Sequence, residues 1–308
     1  MTIADEGTFD FTNMYTPKPT SLELKVSKLL EASKHPILGG RKLQENEFKF
    51  NLYSVAGEVE TLVQADVGNN EDGSIPFETL NFTAVGTYNY RIREVVGTDS
   101  TIIYDTNAID VTVVVVDDKG QLVATPTYKL GETTLDEAVF TNTEKTYAIG
   151  DYTWIDANKD GIQDEDEEVL EGVTVELYDE KDELIATTET NDEGLYIFDE
   201  LVAGTYKVRF VLTEQQAALY EFTQQVDGNN STDNSDANPI SGWTVEIVLN
   251  DNNEHLTNDY EDQEVLATQG IDPTWDAGVI LRERADVSVL KEWVGLAEET
   301  VEVTLYVN

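Results

Sequence analysis

Gly86-Thr87-Tyr88-Asn89-Tyr90-Arg91-Ile92 and Gly204-Thr205-Tyr206-Lys207-Val208-Arg209-Phe210 are two copies of one pattern. In each, a glycine opens a run in which every second side chain is aromatic or aliphatic. That period of two marks a strand with one face on a core and the other toward water. The alternation recurs in Leu22, Leu24, Val26, in Phe48, Phe50, Leu52, and in Val173, Val175, Leu177. Turn residues separate the runs: Asn-Glu-Asp-Gly at 70–73, Asp-Lys-Gly at 118–120 and Asn-Asp-Glu-Gly at 191–194. Only Thr213–Tyr220 reads as a short helix, with Thr213 as its N-cap. Many short strands, regular turns and no strand–helix rhythm imply an all-β chain of tandem Ig-like β-sandwich modules.

Further repeats divide the chain. Val139-Phe140-Thr141-Asn142 reads as a closing strand and is echoed by Phe9-Asp10-Phe11-Thr12-Asn13. Leu24-Lys25-Val26-Ser27-Lys28 reads as an opening strand and is echoed by Asp286-Val287-Ser288-Val289-Leu290-Lys291. The expected organisation is therefore a closing strand and linker over 1–19, complete modules over 20–144 and 145–281, and the opening strands of another module over 282–308. Thr16-Pro17-Lys18-Pro19-Thr20 reads as a short, stiff linker.

Composition narrows the function. Of 308 residues 62 are acidic and 19 basic, a formal net charge of -43. Such a field repels nucleic acid and anionic lipid and attracts divalent cations. Solubility in high salt is a rival explanation, and composition alone does not separate the two. Hydrophobic residues at 40% and aromatics at 9% are enough to bury real cores, unlike a disordered acidic tail. There is no cysteine, and the two histidines, His35 and His255, are far apart in sequence. Zinc sites, thiol catalysis and disulfide staples are argued against, so the modules need another means of strengthening. The apolar run Val111–Val116 is too short to insert in a membrane. No signal peptide follows Met1, so export and cell-wall anchoring signals are expected outside this fragment.

Three polar side chains of the first module fall on apolar faces. Lys28 shares parity with Leu22, Leu24, Val26 and Leu30; Glu94 with Tyr88, Tyr90 and Ile92; Asn142 with Ala138 and Phe140. Singly, each is explained by snorkelling or by one break in a pattern. Together they form a reactive set. Burial disfavours both charges of a Lys–Glu pair, so the proton can pass from amine to carboxylate. The neutral amine is then a nucleophile toward the Asn142 amide. Protonated Glu94 would polarise the amide oxygen and assist departure of ammonia. The product is an isopeptide bond between first and last strands.

Residues 20–144, through Glu47-Phe48-Lys49-Phe50, Gly86-Thr87-Tyr88-Asn89-Tyr90, Tyr104-Asp105-Thr106 and Val139-Phe140-Thr141-Asn142-Thr143, resemble the isopeptide-linked domains of streptococcal-type backbone pilins. The resemblance implies Lys28 and Asn142 as the bonded pair and Glu94 as the catalytic acid/base. That is one intramolecular turnover and does not make the chain an enzyme. Asn13 and Lys291 would be the corresponding residues of the incomplete end modules.

The second module carries Asp156-Ala157-Asn158-Lys159-Asp160-Gly161-Ile162-Gln163-Asp164-Glu165-Asp166-Glu167. Oxygen donors at loop positions 1, 3, 5, 9 and 12 with glycine at 6 match the roughly 12-residue EF-hand calcium loop. Asp156, Asn158, Asp160, Asp164 and Glu167 are the expected Ca2+ ligands, with the main-chain carbonyl of Ile162 at position 7. The flanks are strand-like, so a helix–loop–helix sensor is excluded. Residues 148–280 resemble the calcium-binding B domains of staphylococcal serine-aspartate repeat proteins, relatives of the collagen-adhesin B-type modules. The matching stretches are Ile149-Gly150-Asp151-Tyr152-Thr153-Trp154, the loop, Gly172-Val173-Thr174-Val175, Ser235-Asp236-Ala237 and Asp276-Ala277-Gly278. The resemblance implies further calcium ligands in Asp192, Asp233 and Asp236, although Asn234 stands where the family has aspartate. No isopeptide is expected here, because Leu212 occupies the place of Glu94 and Lys145 is only a remote candidate nucleophile.

The expected function is a structural spacer in an extracellular, cell-wall-anchored adhesin or pilus-like fibre, with neighbouring modules of the same protein as partners. The alternative is an adhesin module that binds a host, cell-surface or carbohydrate ligand. A calcium-dependent hydrolase built on Asp164 and Glu167 is a third class, but the loop spacing already accounts for both carboxylates.

Overall fold

The computed structural model describes residues 15–226, 232–258 and 270–283. The strands expected around Phe9–Asn13 and Asp286–Lys291, with Asn13 and Lys291 themselves, lie outside the described residues. The architecture is all-β: two successive β-sandwiches of Ig-like type. In the first, a six-stranded antiparallel sheet runs in the order Thr133–Leu135, Gln121–Leu130, Ala108–Asp118, Gly86–Val95, Lys49–Ala56, Val59–Gly68. A three-stranded sheet covers it, with Ala138–Glu144 between Val26–Glu31 and Ile102–Ile103. The faces meet through alternate residues, as Phe50 and Phe140 show with ring centroids 5.3 Å apart. Leu52, Ile92, Ile109, Val111 and Val113 complete the buried apolar core.

The run Leu22, Leu24, Val26 proves to be two strands. Thr20–Leu22 pairs with Leu80–Phe82, whereas Val26–Glu31 pairs with the last strand of the module. The chain changes sheet between them, and there the Lys25 N–H donates to the Tyr128 hydroxyl at 2.8 Å. Pairing of Val26–Glu31 with Ala138–Glu144 is parallel, so it is the second strand of the module, not the first, that lies beside the last.

The second sandwich repeats this plan. Tyr147–Ile155 pairs in parallel with Ala277–Leu281, and the four-stranded sheet Leu184–Glu189, Thr174–Asp179, Gly204–Val211, Ile247–Leu249 covers them. The helix is shorter than the sequence suggests, only Glu214–Ala217. Thr213 caps it in a reciprocal capping box with Gln216. Tyr220 is drawn instead into strand Tyr220–Phe222, which pairs with Ala277–Leu281.

Candidate functional sites

The parallel register of the first sandwich places Lys28 opposite Phe140 and Leu30 opposite Asn142. Both polar side chains therefore point inward from adjacent strands, toward Glu94 on the facing sheet. Lys28 is 1% exposed, Asn142 0% and Glu94 8%. Lys28 Nζ lies 2.7 Å from Glu94 Oε2, and Asn142 Nδ2 donates to Glu94 Oε1 at 2.6 Å. One carboxyl group thus bridges amine and amide. Burial pushes the Lys28 amine below its usual range and the Glu94 carboxyl above it, outweighing their mutual attraction. Both directions favour the neutral pair. The Phe48 ring, 4.7 Å from Nζ, walls the amine from water.

The amide orientation differs from the expected one. Glu94 faces the leaving nitrogen of Asn142, and the amide oxygen accepts instead from the main-chain N–H of Asp105 at 2.7 Å. The Asp105 carboxylate accepts from the N–H groups of Thr141 and Asn107 at 2.9 and 2.8 Å.

In the second sandwich the acidic loop leaves at the end of Tyr147–Ile155 and returns in Glu168–Val169, which pairs back on Trp154 and Ile155. That pairing closes the loop at its base. Asp156 is buried, and its carboxylate accepts from the N–H groups of Lys159, Asp160 and Gly161 and from the Thr223 hydroxyl. Gly161 turns the loop with φ +79, and a Cβ there would stand 2.7 Å from the Gln224 carbonyl oxygen. The Asn158 amide donates to both Asp160 Oδ2 and Asp164 Oδ2, at 3.0 and 2.9 Å. Glu167 reaches back to the N–H groups of Ala157 and Asp164. Main-chain pairing brackets Ile162 against Asn234.

The donor chemistry of this loop suits a hard cation: carboxylate, amide and carbonyl oxygens from one short segment. A single nitrogen of Asn158 already draws two carboxylates together. Desolvation first, then the charges of Asp160, Glu167 and Asp166, hold the Asp164 carboxyl above its ordinary range. As the side chains stand, no three carboxylates or imidazoles converge on one metal-sized point among the described residues.

Of the other proposed ligands, Asp192 is exposed on the turn at 191–194. Asp233 is also exposed, and its carbonyl accepts from the Gln163 N–H at 2.6 Å. Asp236 is buried beside two acids that the sequence reading did not single out, Asp151 and Asp276. The Asp276 N–H donates to Asp236 Oδ2 at 3.3 Å. Asp151 Oδ2 and both carboxylate oxygens of Asp276 are buried with no hydrogen-bond partner among the described residues. Burial first, then neighbouring carboxylate charges (Asp236 and Asp272 on Asp151, Asp151 and Asp236 on Asp276), drives the carboxyls of Asp151 and Asp276 far above the usual carboxylate range. Asp236 is raised to about 7, chiefly by desolvation. Orphaned anionic oxygens in a protein interior are costly unless protonated or paired with a cation.

Comparison with known proteins fits this division. Residues 24–145 match the family of Spy0128-like isopeptide containing domains, and residues 147–262 match the SdrD B-like domain. The chain thus joins a stretch similar to isopeptide containing domains to one similar to SdrD B-like domains. Serine-aspartate repeat-containing protein C of Staphylococcus aureus (strain MRSA252) is 42% identical over 132 residues, which is 42% of this chain and 13% of that protein. Other strains' copies match alike, so the chain spans only about an eighth of the length of these curated relatives. Among solved structures, the major pilin from Streptococcus pyogenes is 13% identical, with a TM-score of 0.31 over 84% of this chain and 96% of that one. The Bacillus anthracis TIE protein is 11% identical, with a TM-score of 0.37 over 87% of this chain and 34% of that one.

The two matched families are those of structural surface proteins rather than typical enzymes. Among the described residues no helix is long and apolar enough to cross a membrane. In the first sandwich the polar cluster links Val26–Glu31 to the last strand, Ala138–Glu144. In the SdrD B-like domain Leu212 is half-buried against the core, and Lys145 is paired with Asp251 at its edge.

Proposed function

We propose that this chain is a load-bearing spacer of a bacterial surface adhesin or pilus-like fibre. It is stiffened by a Lys28–Asn142 isopeptide bond in the first module and by calcium in the second. The observation that carries the reading is the Glu94 carboxyl group, in contact with Lys28 Nζ through one oxygen and Asn142 Nδ2 through the other. It can take a proton from the attacking amine and hand one to the departing ammonia. Desolvation supplies the neutral amine that the attack needs. The bond would close a loop of about 114 residues, for which a disulfide would contribute about 4–5 kcal/mol in the chain-entropy model.

In the second module Asp156, Asn158, Asp160, Asp164, Glu167 and the Ile162 carbonyl would hold one calcium ion. Asp236, with Asp151 and Asp276, would contribute to another. The ions supply positive charge that offsets crowded carboxylates and cross-links loops distant in sequence.

The deciding measurement is intact mass. Folded chain should be lighter than its sequence by one ammonia, and Lys28→Ala and Asn142→Ala should each keep their full mass. Folded wild-type chain of unreduced mass would overturn the cross-link.

A further inference from the structure

Attack on the Asn142 amide carbon displaces the carbonyl electron pair onto Oδ1. That oxygen sits 2.7 Å from the main-chain nitrogen of Asp105. The orientation is forced: a main-chain N–H can only donate, so oxygen must face it, and Nδ2 is left to the Glu94 oxygen at 2.6 Å. We propose that Asp105 is the oxyanion donor of the cross-linking reaction, its N–H receiving the charge on Oδ1 and its carboxylate positioning that N–H against the last strand. The inference rests on the cross-link reading and adds the group that stabilises its tetrahedral intermediate.

The positioning comes from the way the chain runs past the closing strand. Ile102–Ile103 pairs antiparallel with Thr143 and Glu144. Beyond that pairing the Asp105 side chain takes over the ladder, with Oδ2 accepting from the Thr141 N–H at 2.9 Å. Oδ1 accepts from the Asn107 N–H at 2.8 Å and fixes the turn that follows. Asp105 therefore grips the closing strand at two consecutive residues, main chain at Thr141 and side chain at Asn142. A donor held this way before reaction needs no reorganisation when charge develops.

The step balances. Neutral Lys28 Nζ forms a bond to Cγ of Asn142, and the carbonyl π pair moves to Oδ1. The Nζ proton passes to Glu94, and a Glu94 proton passes to Nδ2. The Cγ–Nδ2 bond then breaks as the π pair returns. Amine and primary amide give a secondary amide and one ammonia.

The test follows the full chain through cell-free synthesis, with samples quenched in denaturant and the ammonia-depleted fraction read by intact mass. Losing an oxyanion donor outright slows reactions by about 100–1,000-fold, so Asp105→Ala, which leaves the N–H unpositioned, should slow cross-linking by at least about tenfold. Asp105→Asn keeps an acceptor for Thr141 and should recover part of the rate. A parallel pair on a Lys28→Met background, which cannot react, reports any purely structural effect as a change in melting temperature. An Asp105→Ala rate within about twofold of wild type would overturn the role. So would a slowing matched by an equal loss of folded module in the Lys28→Met pair. A folded wild-type chain that keeps its ammonia would instead sink the cross-link, and this role with it.

Discussion

Lys28 carries an amine into a core that water does not reach, and its cost depends on the partner it finds there. While Glu94 is present, the pair can exist as neutral amine and acid, and the reaction removes the amine altogether. Glu94→Gln removes the proton carrier and the acid that pairs with the buried amine. That variant should keep its full mass and lose about 1–3 kcal/mol of module stability, the usual cost of leaving a buried polar group without its partner. The loss should appear as a lower denaturation midpoint beyond that of Asn142→Ala, which forfeits the bond but keeps the pair. A melt no lower than that of Asn142→Ala would contradict this account of Lys28. Lys28, Glu94 and Asn142 were legible in the sequence because each broke an alternation otherwise strictly kept. Asp105 was not, because its part is played by a main-chain N–H, which has no sequence signature. Asp151 and Asp276 lay within recognised motifs, yet nothing in their spacing showed that strands from opposite ends of the module bury them together.

At the scale of elements, the reactive geometry depends on how Val26–Glu31 is held on both edges. On one side it pairs with Ala138–Glu144. On the other, the Lys28 N–H donates to the Gly73 carbonyl at 2.7 Å, and Ile75 donates to the Val26 carbonyl at 3.0 Å. Gly73 ends the turn at 70–73 with φ +87, and a Cβ there would lie 2.4 Å from the Lys28 carbonyl oxygen. Gly73→Ala thus combines a left-handed backbone penalty with a push on the residue that must react. It should cost more than about 1 kcal/mol, measured by thermal melting on the Lys28→Met background. On the wild-type background it should leave part of the chain at full mass, and complete reaction at the normal rate would argue against the clamp. The strands themselves were largely legible from alternation and turns. The break between Leu22 and Val26 was not, because Leu24 stays buried while the chain changes sheet and the apolar pattern runs on unbroken.

Over the whole molecule, both sandwiches set a strand near the module's start parallel and beside its last strand, Val26–Glu31 against Ala138–Glu144 and Tyr147–Ile155 against Ala277–Leu281, so a pull on the two chain ends shears that pair. The first module would carry the load through a covalent bond between those strands. In the second, Asp156 follows the first strand and Asp276 precedes the last, so calcium would act at the same mechanical position. The modules also touch: the Ser33 hydroxyl donates to the Glu200 carbonyl at 2.6 Å, and Leu38 packs against the second core. Tryptophan separates their responses once Trp293 is replaced by phenylalanine, because the other three, Trp154, Trp243 and Trp275, all belong to the second module and the first has none. A chelator should therefore lower the melting temperature seen by tryptophan fluorescence and speed proteolysis of the second module, while the ammonia-depleted mass stays unchanged. The buried acids make a sharper test. Without an ion, Asp151, Asp236 and Asp276 repel one another or take up protons, so Asp276→Asn should raise the melting temperature in chelator. With calcium the same change removes a ligand, so the stabilisation that added ion gives by binding the folded state should shrink. The substitution should thus change sign between the two conditions. A variant less stable than wild type in chelator would show that the buried acids serve the fold by another route.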